Sequence, residues 1–431
     1  MDWRRVVAII AVAMWLASCN ATFDIAAPPD DVPLYAKLYP YYAELCAVSQ
    51  IRKKPGFGAD TSGGPGGHSV FYLNGVCRDR DAGYPTLALC AAGVDNGVGL
   101  SVNAHFENAN WVATDGRAFF FDGNLSPNER LTREGYAQAQ AEAKAKGLLD
   151  GVVFHSQVFD DMPAGMSHRD YMYEVSIATD YAIAFGRDRY CARVPVTRDQ
   201  MAKMVDYLNG VNAVYRDGKK KFEWNVLQNN CTHLAHNALA AAGLWDEWET
   251  DRFLLIAAFD FPVPKNEFVN LMRRTNDTEI VDPQVVYDDR AARQELMEDD
   301  SLPARPGALA EAQRVIQNND VYDTDLQLIF YDDPVFGSYE RHFREIYSKP
   351  RYSDIRANLR YFASLYRSAK AGQKKLSQNA NADVVAKSKD FVAFSARFYN
   401  YIDREALAVE TRLELLDRFP VRAGKSVVSD N

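Results

Sequence analysis

Histidine and cysteine are scarce in this chain, and no apolar run beyond its N-terminal segment is long enough to span a bilayer. Seven histidines and six cysteines leave few places for metal or nucleophile chemistry. The glycine-rich stretch 54–67 lacks the Gly-Lys-Ser/Thr ending of a phosphate cradle, which excludes that mode of nucleotide binding. His233 and His236 stand three apart with no nearby acid to complete a zinc-protease pattern, so they read as a solvated helix face. Neither metal nor cofactor is expected. The acid pairs Asp160-Asp161 and Asp288-Asp289 are adjacent, not facing, which argues against two-carboxylate glycosidase chemistry. A net charge of −9 excludes nonspecific binding to nucleic acid.

What is present describes a globular protein: 47% hydrophobic and 25% charged residues over 431 positions, room for two domains. The chain opens with Arg4 and Arg5, an apolar stretch from Val6 to Ala17, and small residues before Cys19. That layout is a secretory signal. Leu16-Ala17-Ser18-Cys19 resembles the lipobox of bacterial lipoproteins. The resemblance implies removal of residues 1–18, acylation of Cys19 with palmitate-type chains, and anchorage in the lipid bilayer of the cell envelope, facing the periplasm. Asn20, where an aspartate would signal inner-membrane retention, favours the outer membrane on the same resemblance. Residues 19–34, with Pro28, Pro29 and Pro33, then form a lipidated tether.

Export places the remaining five cysteines in an oxidising compartment. Four can pair and one stays over. Cys46, Cys77, Cys90 and Cys191 lie in apolar or strand-like surroundings and are the disulfide candidates, with their connectivity open. Cys231 follows a polar Asn-Asn pair and opens a helical run, which marks it as the free thiol.

The pattern predicts an α+β chain. A helix is expected over Leu34 to Val48, then strands at Ser69–Leu73, Thr86–Ala91, Gly99–Phe106, Ala118–Phe121, Tyr173–Ile177 and Cys191–Val196. Helices are expected at Thr132–Leu148, after the capping box Thr197-Arg198-Asp199-Gln200, and at Cys231–Ala242, closed by Gly243. Residues 35–275 are expected to form one domain, 276–310 an acidic, proline-bearing linker, and 311–431 a helical accessory region able to dock an envelope partner.

The strongest chemical signal is Gln228-Asn229-Asn230-Cys231-Thr232-His233-Leu234-Ala235. Capping residues before the thiol put the sulfur at a helix N-terminus, where N–H groups and the macrodipole favour a thiolate. The general base would be His68, at the end of the glycine-rich loop and the start of a strand. His105, on the strand Ser101-Val102-Asn103-Ala104-His105-Phe106, is the candidate third member, with Asn103 and Glu107 as competitors. Asn230 is an orienting or oxyanion candidate.

The order His68, His105, then Asn230-Cys231-Thr232-His233-Leu234 resembles the circularly permuted papain-like thiol hydrolases, nearest the lecithin–retinol acyltransferase-like and NlpC-like branches. The resemblance covers about residues 60 to 270, with Leu234 where an aromatic is common. It implies an antiparallel sheet packed on the Cys231 helix and a hydrolase or acyltransferase acting on an amide or ester bond of a cell-wall peptide or lipid. A non-catalytic envelope lipoprotein using the same fold as a binding scaffold is the rival reading.

Overall fold

The structure, a computed structural model, describes residues 18–21, 32–56, 66–91, 96–250, 253, 261–326, 328–331, 338–378 and 389–418. The expected signal and most of the expected tether lie outside the described residues, as does most of the glycine-rich loop. The backbone of Ser18–Ala21 (β1) pairs antiparallel with Leu328–Tyr331 (β10).

Among the described residues the architecture is α+β. Strands β2 (Tyr42–Val48), β3 (His68–Asn74), β6 (Gly97–Ser101), β7 (Val112–Asp115), β8 (Arg189–Pro195) and β9 (Leu309–Gln313) form an antiparallel sheet in the order β7-β6-β3-β2-β8-β9. A separate ribbon joins β4 (Val76–Arg78) to β5 (Leu87–Leu89). Every residue of β2, β3 and β8 is buried, because both faces of the sheet are covered. Alternation sends Ala43, Leu45, Ala47, Phe71, Leu73, Tyr190 and Ala192 into one apolar cluster. It sends Tyr42, Cys46, Val48, Val70, Tyr72 and Cys191 into the other.

The helices are α1 (Val32–Leu38), α2 (Arg117–Asp122), α3 (Arg133–Ala145), α4 (His168–Ser176), α5 (Arg198–Ala213) and α6 (Cys231–Ala241). After them come α7 (Pro264–Asp277), α8 (Pro283–Asp288), α9 (Arg290–Asp299), α10 (Tyr339–Ser348), α11 (Ile355–Gln378) and α12 (Lys389–Arg418). The first cluster takes Leu234, Ala235, Ala238 and Leu239 from α6 and Phe268, Leu271 and Met272 from α7. The second takes Leu359, Phe362 and Tyr366 from α11 and Phe394, Phe398 and Ile402 from α12. Among the described residues no helix is long and apolar enough to cross a membrane.

Cys46 is bonded to Cys191 and Cys77 to Cys90, while Cys231 is free and buried. Cys46 and Cys191 are register partners on β2 and β8. The Thr197–Gln200 capping box is present.

Three local expectations are corrected. The helix over 34–48 is α1 and then β2; Pro40 drives Tyr39 out of helical backbone, and the sheet claims residues 42–48. Ala118–Phe121 lies in α2, whose aromatic triplet Phe119-Phe120-Phe121 is buried on more than one side and so carries no strand period. Tyr173–Ile177 falls in and just after α4, nucleated by the Ser167 side chain, which accepts from the N–H of Asp170. The stretch 276–310 holds α8, α9 and the first residues of β9 where a linker was expected. Tyr287 of α8 stacks edge-on to Phe391 and Phe394 of α12, at 5.2 Å each.

Candidate active site

One end of the sheet gathers the first residue of β3, the end of β2 and the approach to β8, since Val48 pairs with both His68 and Arg189. The N-termini of α6 and α7 meet there: the Asn230 amide donates to the carbonyl of Pro262 at 3.1 Å. Gly67 enters β3 at φ 70°, and a side chain there would strike the Val48 carbonyl at 2.3 Å. Glycine is required at that corner.

Asn230 caps α6. Its side-chain oxygen accepts from Thr232 N–H at 2.8 Å and His233 N–H at 3.1 Å, and its amide also donates to Val226 O at 2.7 Å. These bonds use Asn230 to position Cys231, leaving it no free donor for an oxyanion. His233 Nδ1 accepts from the Asn230 N–H at 3.1 Å and completes the capping box. His233 and His236 are both buried, which corrects the solvated face expected of them. His236 pairs with Glu267 of α7 at 2.6 Å and stacks on Trp245 at 4.5 Å.

The Cys231 sulfur accepts the Ser69 N–H at 3.3 Å, and the Ser69 and Thr232 hydroxyls meet at 2.9 Å. Burial pushes the thiol up, outweighing the Ser69 N–H, the Thr232 hydroxyl and the Arg187 charge that favour its ionised form. The helix start therefore does not leave Cys231 a low-pKa thiol as expected, because desolvation is the larger effect.

His68 immediately precedes Ser69. Its Nε2 lies 3.0 Å from Ser101 Oγ, and the Ser101 hydroxyl donates to the Thr179 carbonyl at 2.8 Å. With that proton committed, Nε2 must donate and Nδ1 becomes the basic nitrogen. No hydrogen bond joins the ring to Cys231. Burial and the Arg187 charge push the imidazole down to about 3.

His105 is not brought to His68. The regular part of β6 ends at Ser101, and the chain turns so that the His105 ring packs beside Phe154 at 5.9 Å, its Nδ1 buried without a partner. Asn103 donates to Asp180 at 2.9 Å and accepts from the N–H of His105. Glu107 pairs with His155 and Lys221. Ser101, the last residue of β6 and two before Asn103, is the side chain that meets the His68 ring. Burial pushes the nearby Asp180 up to about 6, against the hydrogen bond from Asn103 and the Arg187 charge. Alternation could have found Ser101; nothing in the sequence marks Asp180, Arg187 or Lys265.

Arg187 and Lys265 are buried, and the charge of each acts on the Cys231 sulfur. Arg187 donates to Ala178 O at 2.9 Å and Ser49 O at 2.6 Å. Lys265, in the first turn of α7, donates to Gly66 O at 2.8 Å. An open cavity of about 420 Å³ between Tyr39, Pro195 and Tyr401 shares no residue with this site. The only cluster of metal-ligand types among the described residues is Glu44, Cys46 and Cys191, whose sulfurs are joined to each other. No family model, no curated protein and no solved structure matches this chain.

Proposed function

We propose that the chain is an exported, lipid-anchored cysteine hydrolase or acyltransferase of permuted papain-like fold, with Cys231 as nucleophile and His68 as base. One observation carries the reading: the only free cysteine among the described residues opens a capped helix, and its sulfur touches the residue next to His68 at 3.3 Å. Cys231 gives its proton to His68 Nδ1, and its sulfur bonds to the carbonyl carbon of an amide or ester. The C–N or C–O bond breaks as His68 returns the proton to the leaving group. Water or another acceptor then cleaves the thioester. Ser101 holds Nε2 and leaves Nδ1 basic, and proton transfer requires the ring to reach the sulfur once substrate is bound. Acylation of Cys19 would hold the domain at the envelope, where cell-wall peptides and lipids are the available substrates.

Burial of both partners favours a second reading. An imidazole held near 3 is a weak base at neutral pH, as a non-catalytic scaffold would tolerate. p-Nitrophenyl acetate separates the two. An enzyme gives a nitrophenolate burst and an acetyl adduct on the Cys231 peptide; Cys231→Ala abolishes both, and His68→Ala slows acylation about 100-fold. A folded protein with no adduct, or a burst surviving Cys231→Ala, overturns the enzyme reading.

A further inference from the structure

The site holds two buried cations, Arg187 and Lys265, against one buried carboxylate, Asp180. Arg187 and Lys265 are 4% and 0% exposed. Their bonds go to three neutral carbonyls, those of Ala178, Ser49 and Gly66. No carboxylate of a described residue comes within ion-pair distance of either, although Lys53, Arg193 and Arg305, also buried, each have a glutamate. Asp180 is the acid whose charge Arg187 feels, and its own side-chain hydrogen bond comes from Asn103. A buried cation without a counter-charge is costly, and with Asp180 set against Arg187 it is Lys265 that calls for an anion from elsewhere.

Lys265 Nζ lies 3.0 Å from the position a side chain on Gly67 would take, two residues before the Ser69 N–H that touches the Cys231 sulfur. Arg187 reaches the same end of the sheet through Ser49, the residue after β2. We propose that Lys265 and Arg187 form a carboxylate subsite against Cys231, so that the substrate carries a negative charge beside the bond that is cut. This rests on Cys231 being the nucleophile and adds the substrate class. The charges of Arg187 and Lys265 are both coupled to the sulfur and to each other. Burial and Arg187 push Lys265 down to about 7, and Asp180 offsets Arg187, so near neutrality the site carries no more than one net positive charge and suits a monoanion better than a phosphate dianion.

Two alkylating reagents of nearly equal size test it: iodoacetate, with a carboxylate one carbon from the reacting atom, and neutral iodoacetamide. Rates at Cys231 are measured at pH 7 on the full chain by peptide mapping, with the same chain unfolded in urea giving the intrinsic ratio. Folding should raise the preference for iodoacetate about tenfold, the effect of a net charge at short range in a medium of intermediate dielectric. Lys265→Met should remove most of the gain and Lys265→Arg should keep it, which separates loss of charge from loss of fold. If native Cys231 reacts with both reagents at the unfolded ratio, the carboxylate subsite is refuted while the nucleophile stands. If native Cys231 reacts with neither, both proposals fall together.

Discussion

His68 is the residue whose protonation state sets what the site can do, and its surroundings hold it neutral. Burial and the Arg187 charge push its imidazole down to about 3, against about 6.5 in an unfolded chain. The unfolded state therefore binds the extra proton first as pH falls, and stability is lost below about pH 6.5. By pH 5 this one group should cost on the order of 2 kcal/mol, from about 1.5 pH units at 1.36 kcal/mol each. His68→Asn should lose correspondingly less stability than the parent in urea titrations at pH 7 and pH 5; equal losses would show that His68 is solvated. Cys231 and His68 were legible because an Asn-Asn-Cys cap and a histidine after glycines are local patterns. Ser101 was half legible, standing two residues before Asn103. Arg187 and Lys265 were not, since their meaning comes from burial and from charge acting on a distant sulfur, and no local period encodes that.

At the scale of elements, Asn230 joins two helices and the loop before them. Its oxygen satisfies two first-turn N–H groups of α6 and its amide bridges to Val226 and Pro262. Asn230→Ala should lower stability by about 2–3 kcal/mol, a cap plus buried carbonyls left without donors. Asn230→Ser keeps a cap oxygen and loses the amide bonds, so its loss should be smaller. Urea midpoints of the two variants measure the division, and equal losses would assign the whole effect to the bridge. His236 and Glu267 make a second tie between α6 and α7. Helix existence was readable from caps and apolar spacing, as at Thr197 and Asn230. Of the misread elements, 34–48 and 173–177 are aromatic or apolar segments whose type was settled by a proline and a serine cap, and 118–121 is an aromatic run buried on more than one side.

Across the whole molecule, the C-terminal half completes the sheet. β9 pairs with β8 and brings Glu311 beneath it, where it meets Arg117 at 2.8 Å, Arg189 at 3.3 Å and Arg193 at 2.7 Å. Glu44 of β2 takes Arg117 and Arg193 from the other side. Burial would raise the Glu311 carboxyl, but the three arginines outweigh it and hold it well below the usual range. Ion pairs this deep add little over apolar packing, yet removing one partner strands the rest. The sequence offered no sign of this, because Glu44, Arg117, Arg189, Arg193 and Glu311 are brought together only by the strand order. Glu311→Ala leaves three buried arginines sharing one glutamate and the partly exposed Asp122, and should cost about 3–5 kcal/mol. Because the carboxyl is depressed in the fold, its contribution is present above about pH 4.3 and is lost as pH falls further. Guanidinium titrations of parent and Glu311→Ala at pH 7 and pH 4 should therefore show a gap that narrows in acid. A small gap at pH 7 would mean that β9 is an adjunct to the sheet, and that the domain carrying Cys231 is complete without it.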